Sequence, residues 1–127
     1  MRLRLSIALL AAAVAAVVLA GSAQASCVPS TVAENRARAS VIFDGVALEG
    51  PTRTGVQRFR VIRYLKGSGP AVVRVNTGHI RRADGSGTLS SVSLMVKRGE
   101  RWRIYARGSA TGILQSNMCT GSRRLRR

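Results

Sequence analysis

VQRFRVIRYL, residues 56–65, alternates apolar and basic side chains along most of its length. A period of two is the mark of a strand with one face buried. It predicts Phe59, Val61 and Leu65 on one face and Arg58, Arg60, Ile62 and Tyr64 on the other. Lys66-Gly67-Ser68-Gly69-Pro70 ends the run, and Gly50-Pro51-Thr52-Arg53-Thr54-Gly55 precedes it as a turn.

Outward from this strand the same pattern recurs. SVIFDGVALE (40–49) is β-branched and apolar, with Asp44-Gly45 inside it; glycine within a strand predicts a bulge or tight bend. AVVRVNT (71–77) sets Val73 and Val75 opposite Val72 and Arg74. Residues 78–88 are rich in glycine and charge and read as a loop. Residues 89–96 read as a weaker strand, followed by a turn over 97–100. RWRIYAR (101–107) directs Trp102, Ile104 and Ala106 inward and Arg101, Arg103, Tyr105 and Arg107 outward. Residues 112–119 form the last strand. Before all of these, Thr31-Val32-Ala33-Glu34 has the form of a capping box and predicts a short helix ending near Ala39. Five or six short strands separated by turns predict a mainly β fold, a small antiparallel barrel or sandwich with one short N-terminal helix. The last five residues, 123–127, offer nothing to bury and are expected to form a disordered basic tail.

The N-terminus has a different character. Arg2 and Arg4 precede an apolar run from Leu5 to Ala20, and Ala23-Gln24-Ala25 is a small-x-small cleavage site. This is the form of a signal peptide over residues 1–25, with export to the cell envelope or medium. The remaining domain would span 26–122. With the tail, residues 26–127 carry 19 basic residues against five acidic ones, a net charge of +14. Such charge favours anionic partners: acidic envelope polymers, nucleic acid or lipid headgroups. Arginine dominates lysine 19 to 2 in the full chain, a skew that a GC-rich coding sequence also produces. The two cysteines, Cys27 and Cys119, lie at opposite ends of an exported domain and predict one disulfide.

The order of these features resembles a known family. A cysteine followed by x-Pro, a short Ala/Arg helix, V-I-F-D-G-V, F-R-V-I-R-Y-L-K-G, R-G-E-R-W-R-I-Y-A and a late M-C-T-G run through residues 27–121. The series resembles the bacterial relatives of the tissue inhibitors of metalloproteinases and, more broadly, the netrin-like domain. The resemblance implies a five-stranded oligonucleotide/oligosaccharide-binding (OB) barrel. It also implies an inhibitory N-terminal edge, here Ser26, Cys27 and Val28. The family opens with C-x-C, and the amine and carbonyl of its first cysteine bind the protease zinc. In this chain that first position falls on Ala25, and its mid-chain partner falls near Ser91–Ser93. Both halves of one bridge are absent, so zinc chelation does not carry over.

Catalytic chemistry is poorly supported. His79, the single histidine, sits in a basic loop and reads as a solvated surface residue. The five carboxylates are scattered, with Asp44 and Asp84 beside glycines at natural turn positions. No catalytic residue, metal ligand or cofactor is expected. The candidate binding face is Arg58, Arg60, Tyr64, Arg101, Arg103, Tyr105 and Arg107, which would form one patch with two tyrosines if the two strands were neighbours. The expected function is that of an exported, non-catalytic binding module for a protein or an anionic envelope component. The alternatives are a metalloproteinase inhibitor-like protein acting on a protease, and a charge-driven binder of nucleic acid or another polyanion.

Overall fold

The computed structural model describes residues 27–126. The signal peptide expected over residues 1–25, together with Ser26 and Arg127, lies outside the described residues. Among the described residues no helix is long and apolar enough to cross a membrane.

The chain enters at Cys27 and forms helix α1, Val32–Arg38. The capping box is complete. The Glu34 amide donates to the Thr31 hydroxyl (3.1 Å), and the Thr31 amide donates to the Glu34 carboxylate (3.0 Å). Arg36 and Arg38 occupy the last turn, where the helix dipole favours cations. Three antiparallel strands follow as a meander: β1 (Val41–Ala47), β2 (Val56–Lys66) and β3 (Val72–Asn76). The 78–88 loop contains a minimal hairpin, β4 (Ile80–Arg81) with β5 (Gly87–Thr88). Strand β6 (Arg101–Ala106) returns antiparallel to β1. Strand β7 (Ile113–Gln115) then crosses over to run parallel to β3, a departure from the all-antiparallel expectation. With a last strand, β8 (Arg123–Arg124), the main sheet has the order β7-β3-β2-β1-β6-β8 and curls around its main core. A bridge between Arg107 and Gln115 ties the end of β6 to β7.

The core contains Phe43 from β1, Phe59 from β2, Val73 and Val75 from β3, Trp102 and Ile104 from β6, and Leu114 from β7. The inward series of β2 begins one alternation earlier than the apolar pattern shows. Gln57 is fully buried, its amide donating to the carbonyls of Glu49 (3.1 Å) and Val96 (3.0 Å) and its oxygen accepting from the Thr77 hydroxyl (2.8 Å). A buried amide of this kind is tolerated because its hydrogen bonds are met.

Several expectations are corrected. Residues 89–96 do not form a strand. Ser93 donates to the Gly78 carbonyl (3.2 Å) and accepts from the Ser90 amide (3.1 Å), so serine hydroxyls compete with a ladder there. The segment still inserts Leu94 and Val96 into the core. The tail is not free as far as residue 126. Strand β8 (Arg123–Arg124) pairs with Trp102 and Arg103, and the Leu125 amide donates to the Arg101 carbonyl (2.8 Å). What the tail satisfies is not apolar burial but the open backbone edge of β6. After Gln115 the chain leaves the sheet and makes a 3-10 turn, Met118–Thr120, which carries Cys119. There it meets Cys27 in the expected disulfide, with the two Cα atoms 5.1 Å apart.

The bulge expected at Asp44-Gly45 is present as a register shift against β2, which leaves Ile62 unmatched; a second shift leaves Leu65 unmatched. The first reverses the alternation of β2. Tyr64 therefore turns into the core, in tilted contact with Phe43, and Leu65 packs with Ala39, Ile42 and Tyr105 in a separate outer cluster. The expected faces of Tyr64 and Leu65 are thus exchanged. At Gly45 a Cβ would stand 2.9 Å from the Phe43 ring and 3.0 Å from the Arg60 carbonyl oxygen. Gly45→Ala is accordingly expected to cost about 1–3 kcal/mol through overpacking. A denaturation midpoint equal to that of the parent protein would show that the bulge accommodates a methyl group.

Candidate binding face

The outward surface of the curled sheet is built by register. Val46 pairs with Arg60 on β2 and with Arg101 on β6, so those two arginines flank it on one face. Asp44 pairs in the same way with Arg63 and Arg103, and Arg103 with Arg123 of β8. Arg58 pairs with Arg74, and Arg74 with Ile113. Seven arginines therefore share a face that contains the carboxylates of Asp44 and Glu49.

The two arginine strands are not neighbours, contrary to the condition set by the sequence. β1 lies between them, and its Asp44 organises both. Its carboxylate accepts from Arg103 Nε (2.7 Å) and Nη2 (2.9 Å) and from Arg63 Nε (2.9 Å). Asp44 is only 3 % exposed, so its turn position is corrected: it is a buried strand residue. The hydrogen bond from Arg103 holds its carboxyl below the ordinary carboxylate value, against the upward push of burial, with Arg63 adding to the lowering. Arg103 is correspondingly tied down, whereas Arg63 remains largely exposed.

The other expected members divide. Arg58 is exposed and ion-paired with Glu49 (3.2 Å). Among the described residues, Arg60, Arg74, Arg101 and Arg123 have no carboxylate within ion-pairing distance, and all are exposed. Arg107 is exposed at the far end of β6. There it lines a groove of about 410 Å³ with Asn35, Arg38 and Cys119. Neither tyrosine is exposed on the face. Tyr64 donates to the Pro70 carbonyl (2.7 Å), and burial pushes its phenol up. Tyr105 is 6 % exposed beneath Ala39 and Leu65. Arg74, outward by alternation, joins the face through its pairing with Arg58, and Arg63 and Arg123 join it from positions that strand alternation alone did not select. Arg63 needs the bulge, and Arg123 needs the tail to pair.

Among the described residues every carboxylate has a local partner. Glu34 caps α1, Asp44 and Glu49 pair with arginines, and Asp84 accepts from the amide and hydroxyl of Ser86 (2.9 and 2.6 Å). Glu100 accepts from Trp102 Nε1 (2.9 Å), the Lys97 amide (3.1 Å) and Arg124 Nη1 (3.2 Å). His79 is half-buried, with its Nδ1 enclosed and unpartnered among the described residues, so it is not the solvated side chain expected. At the N-terminal edge, Cys27 is held by Cys119 and Val28 is 82 % exposed. Comparison of the chain with known protein families, with curated proteins and with solved structures finds no match.

Proposed function

We propose that this protein is an exported, non-catalytic binding module of the OB-barrel type whose partner is an anionic polymer. The observation that carries the reading is the outward sheet face, where among the described residues Arg60, Arg74, Arg101 and Arg123 stand free of carboxylates beside the three that are paired, Arg58, Arg63 and Arg103. Charges of one sign on one surface focus an attractive potential for an opposite polymer. The barrel reading is supported by a circuit of five strands, β1-β2-β3-β7-β6, that returns to β1 once the Arg107–Gln115 bridge is counted. The non-catalytic reading is supported by the engagement of all five carboxylates in structural contacts.

A polymer without bases is favoured over nucleic acid. Single-strand binders rely on aromatic platforms, and neither tyrosine is presented there: Tyr64 turns into the core and Tyr105 is covered by Ala39, Ile42 and Leu65. The test is retention of the oxidised protein on long-chain polyphosphate as salt is raised. Affinity is expected to fall steeply, with log K linear in log salt. Arg60→Gln/Arg74→Gln should reduce that slope by about one to two, since each neutralised phosphate contributes about 0.7 to 0.9. Absence of any salt-sensitive binding would sink the reading. Capture of an envelope protein that survives high salt would replace it with a protein interface.

A further inference from the structure

A second basic feature lies at the edge of the sheet and is concave rather than flat. The turn at Lys97–Glu100 and the tail strand β8 enclose a cleft of about 590 Å³ lined by Arg98, Gly99, Glu100, Arg101, Arg124, Leu125 and Arg126. Among the described residues, four arginines from two separate segments thus line one hollow with a single carboxylate. That carboxylate is already occupied. Glu100 accepts from Trp102 Nε1, from the Lys97 amide and from Arg124 Nη1. It closes the turn, seats the indole and holds Arg124 at the rim. Among the described residues Arg98, Arg101 and Arg126 have no carboxylate within ion-pairing distance.

We propose that this cleft is an oxyanion site that takes the phosphate groups of a polymer chain, with Arg98, Arg101, Arg124 and Arg126 as ligands and Glu100 as a positioning residue. The proposal rests on the anionic-polymer reading and names the chemistry of its ligand. Guanidinium forks bind carboxylate and phosphate bidentately. A carboxylate has two oxygens in one plane and saturates one or two forks. A phosphate presents oxygens in several directions and can be shared among arginines of different segments, such as those that line this cleft. No aromatic side chain lines the cleft, so it has nothing to stack a base upon. Apolar contact is limited to Leu125.

The structure also supplies the reporter. Trp102 is the single tryptophan of the chain, and its indole N–H is bonded to the carboxylate that holds Arg124. An anion that engages Arg124 redistributes the Glu100 contacts and alters Trp102 emission.

The experiment is a titration of the oxidised protein with inorganic triphosphate, followed by Trp102 fluorescence, with citrate as a polycarboxylate comparator. Saturable triphosphate binding is expected, with citrate at least about tenfold weaker. Arg98→Gln/Arg126→Gln should weaken triphosphate about tenfold or more. Arg81→Gln/Arg82→Gln, an equal loss of charge in the β4–β5 hairpin outside the cleft, should change it less than about twofold. Equal losses in the two double variants would mean diffuse charge attraction and overturn the site. Equal affinity for citrate would overturn the phosphate assignment. A Trp102 response to phosphatidylglycerol vesicles without one to triphosphate would assign these arginines to a membrane surface and overturn the polymer. If long-chain polyphosphate binds while triphosphate leaves Trp102 unmoved, the cleft fails and the anionic-polymer reading stands. If neither binds, both fall.

Discussion

Asp44→Ala is expected to lower the stability of the folded domain by about 3 kcal/mol, read as a lower urea midpoint with an unchanged slope. The loss comes chiefly from Arg103. Its guanidinium makes two bonds to Asp44 and its side chain is only 20 % exposed, so removal of the carboxylate leaves a partly buried charge uncompensated. Arg63, with its side chain 63 % exposed, returns to water and contributes little. The near-isosteric Asp44→Asn separates the charge from the volume and carries a pH signature. The Asp44 carboxyl is held below its ordinary value of 3.8, so its ionised form favours the folded state. That contribution is complete above the unfolded value. It disappears as pH falls through the lower folded one, because the unfolded chain then binds the proton first. Glu49 and Glu100 are also lowered, burial pushing each up and hydrogen-bond partners outweighing it, so the parent protein has a composite acid limb. The expected result is a shallower decline below about pH 4 in Asp44→Asn than in the parent. Identical acid limbs would show that Asp44 is not titrating as the structure requires.

The disulfide should matter still more. Cys27 and Cys119 are 92 residues apart in sequence, and a closed loop of that size restricts the unfolded chain by about 4–5 kcal/mol in the chain-entropy treatment. Set against a typical total of about 5–15 kcal/mol for a domain, this is a large share. Cys27→Ser/Cys119→Ser is therefore expected to melt on the order of 20 °C below the parent. Local contacts offer little compensation. Cys27, Val28 and Pro29 are all exposed. The segment is otherwise tied by the Ser30 hydroxyl donating to the Asn35 side chain (2.8 Å) and by the capping box. Thiol labelling of the native protein should find no free cysteine. A double variant that melts within a few degrees of the parent would show that the bridge decorates an already stable fold.

What could be read from the sequence alone is what short-range geometry dictates. The capping box of α1 needs only a threonine and a glutamate three residues apart, and it formed as read. The alternation of β3 follows from the pleat, so Val73 and Val75 were assignable to the core without knowing their partners. Gly45 signalled its bulge, and two cysteines in one domain implied their bond. Tertiary structure decided the rest. A period of two says that two faces differ, but a register shift against a neighbouring strand can exchange them; this moved Tyr64 into the core and Leu65 out of it. Tyr105 alternates as an outward residue and is outward, yet Ala39, Ile42 and Leu65 cover it there. Asp44 looked like a turn residue because Asp-Gly usually is one. The arginines that make it a buried strand carboxylate lie 19 and 59 residues away. The basic tail was ordered by the open edge of β6 and not by anything in its own composition. Local chemistry sets the period of a segment, and its long-range neighbours set which face is buried and which charges meet.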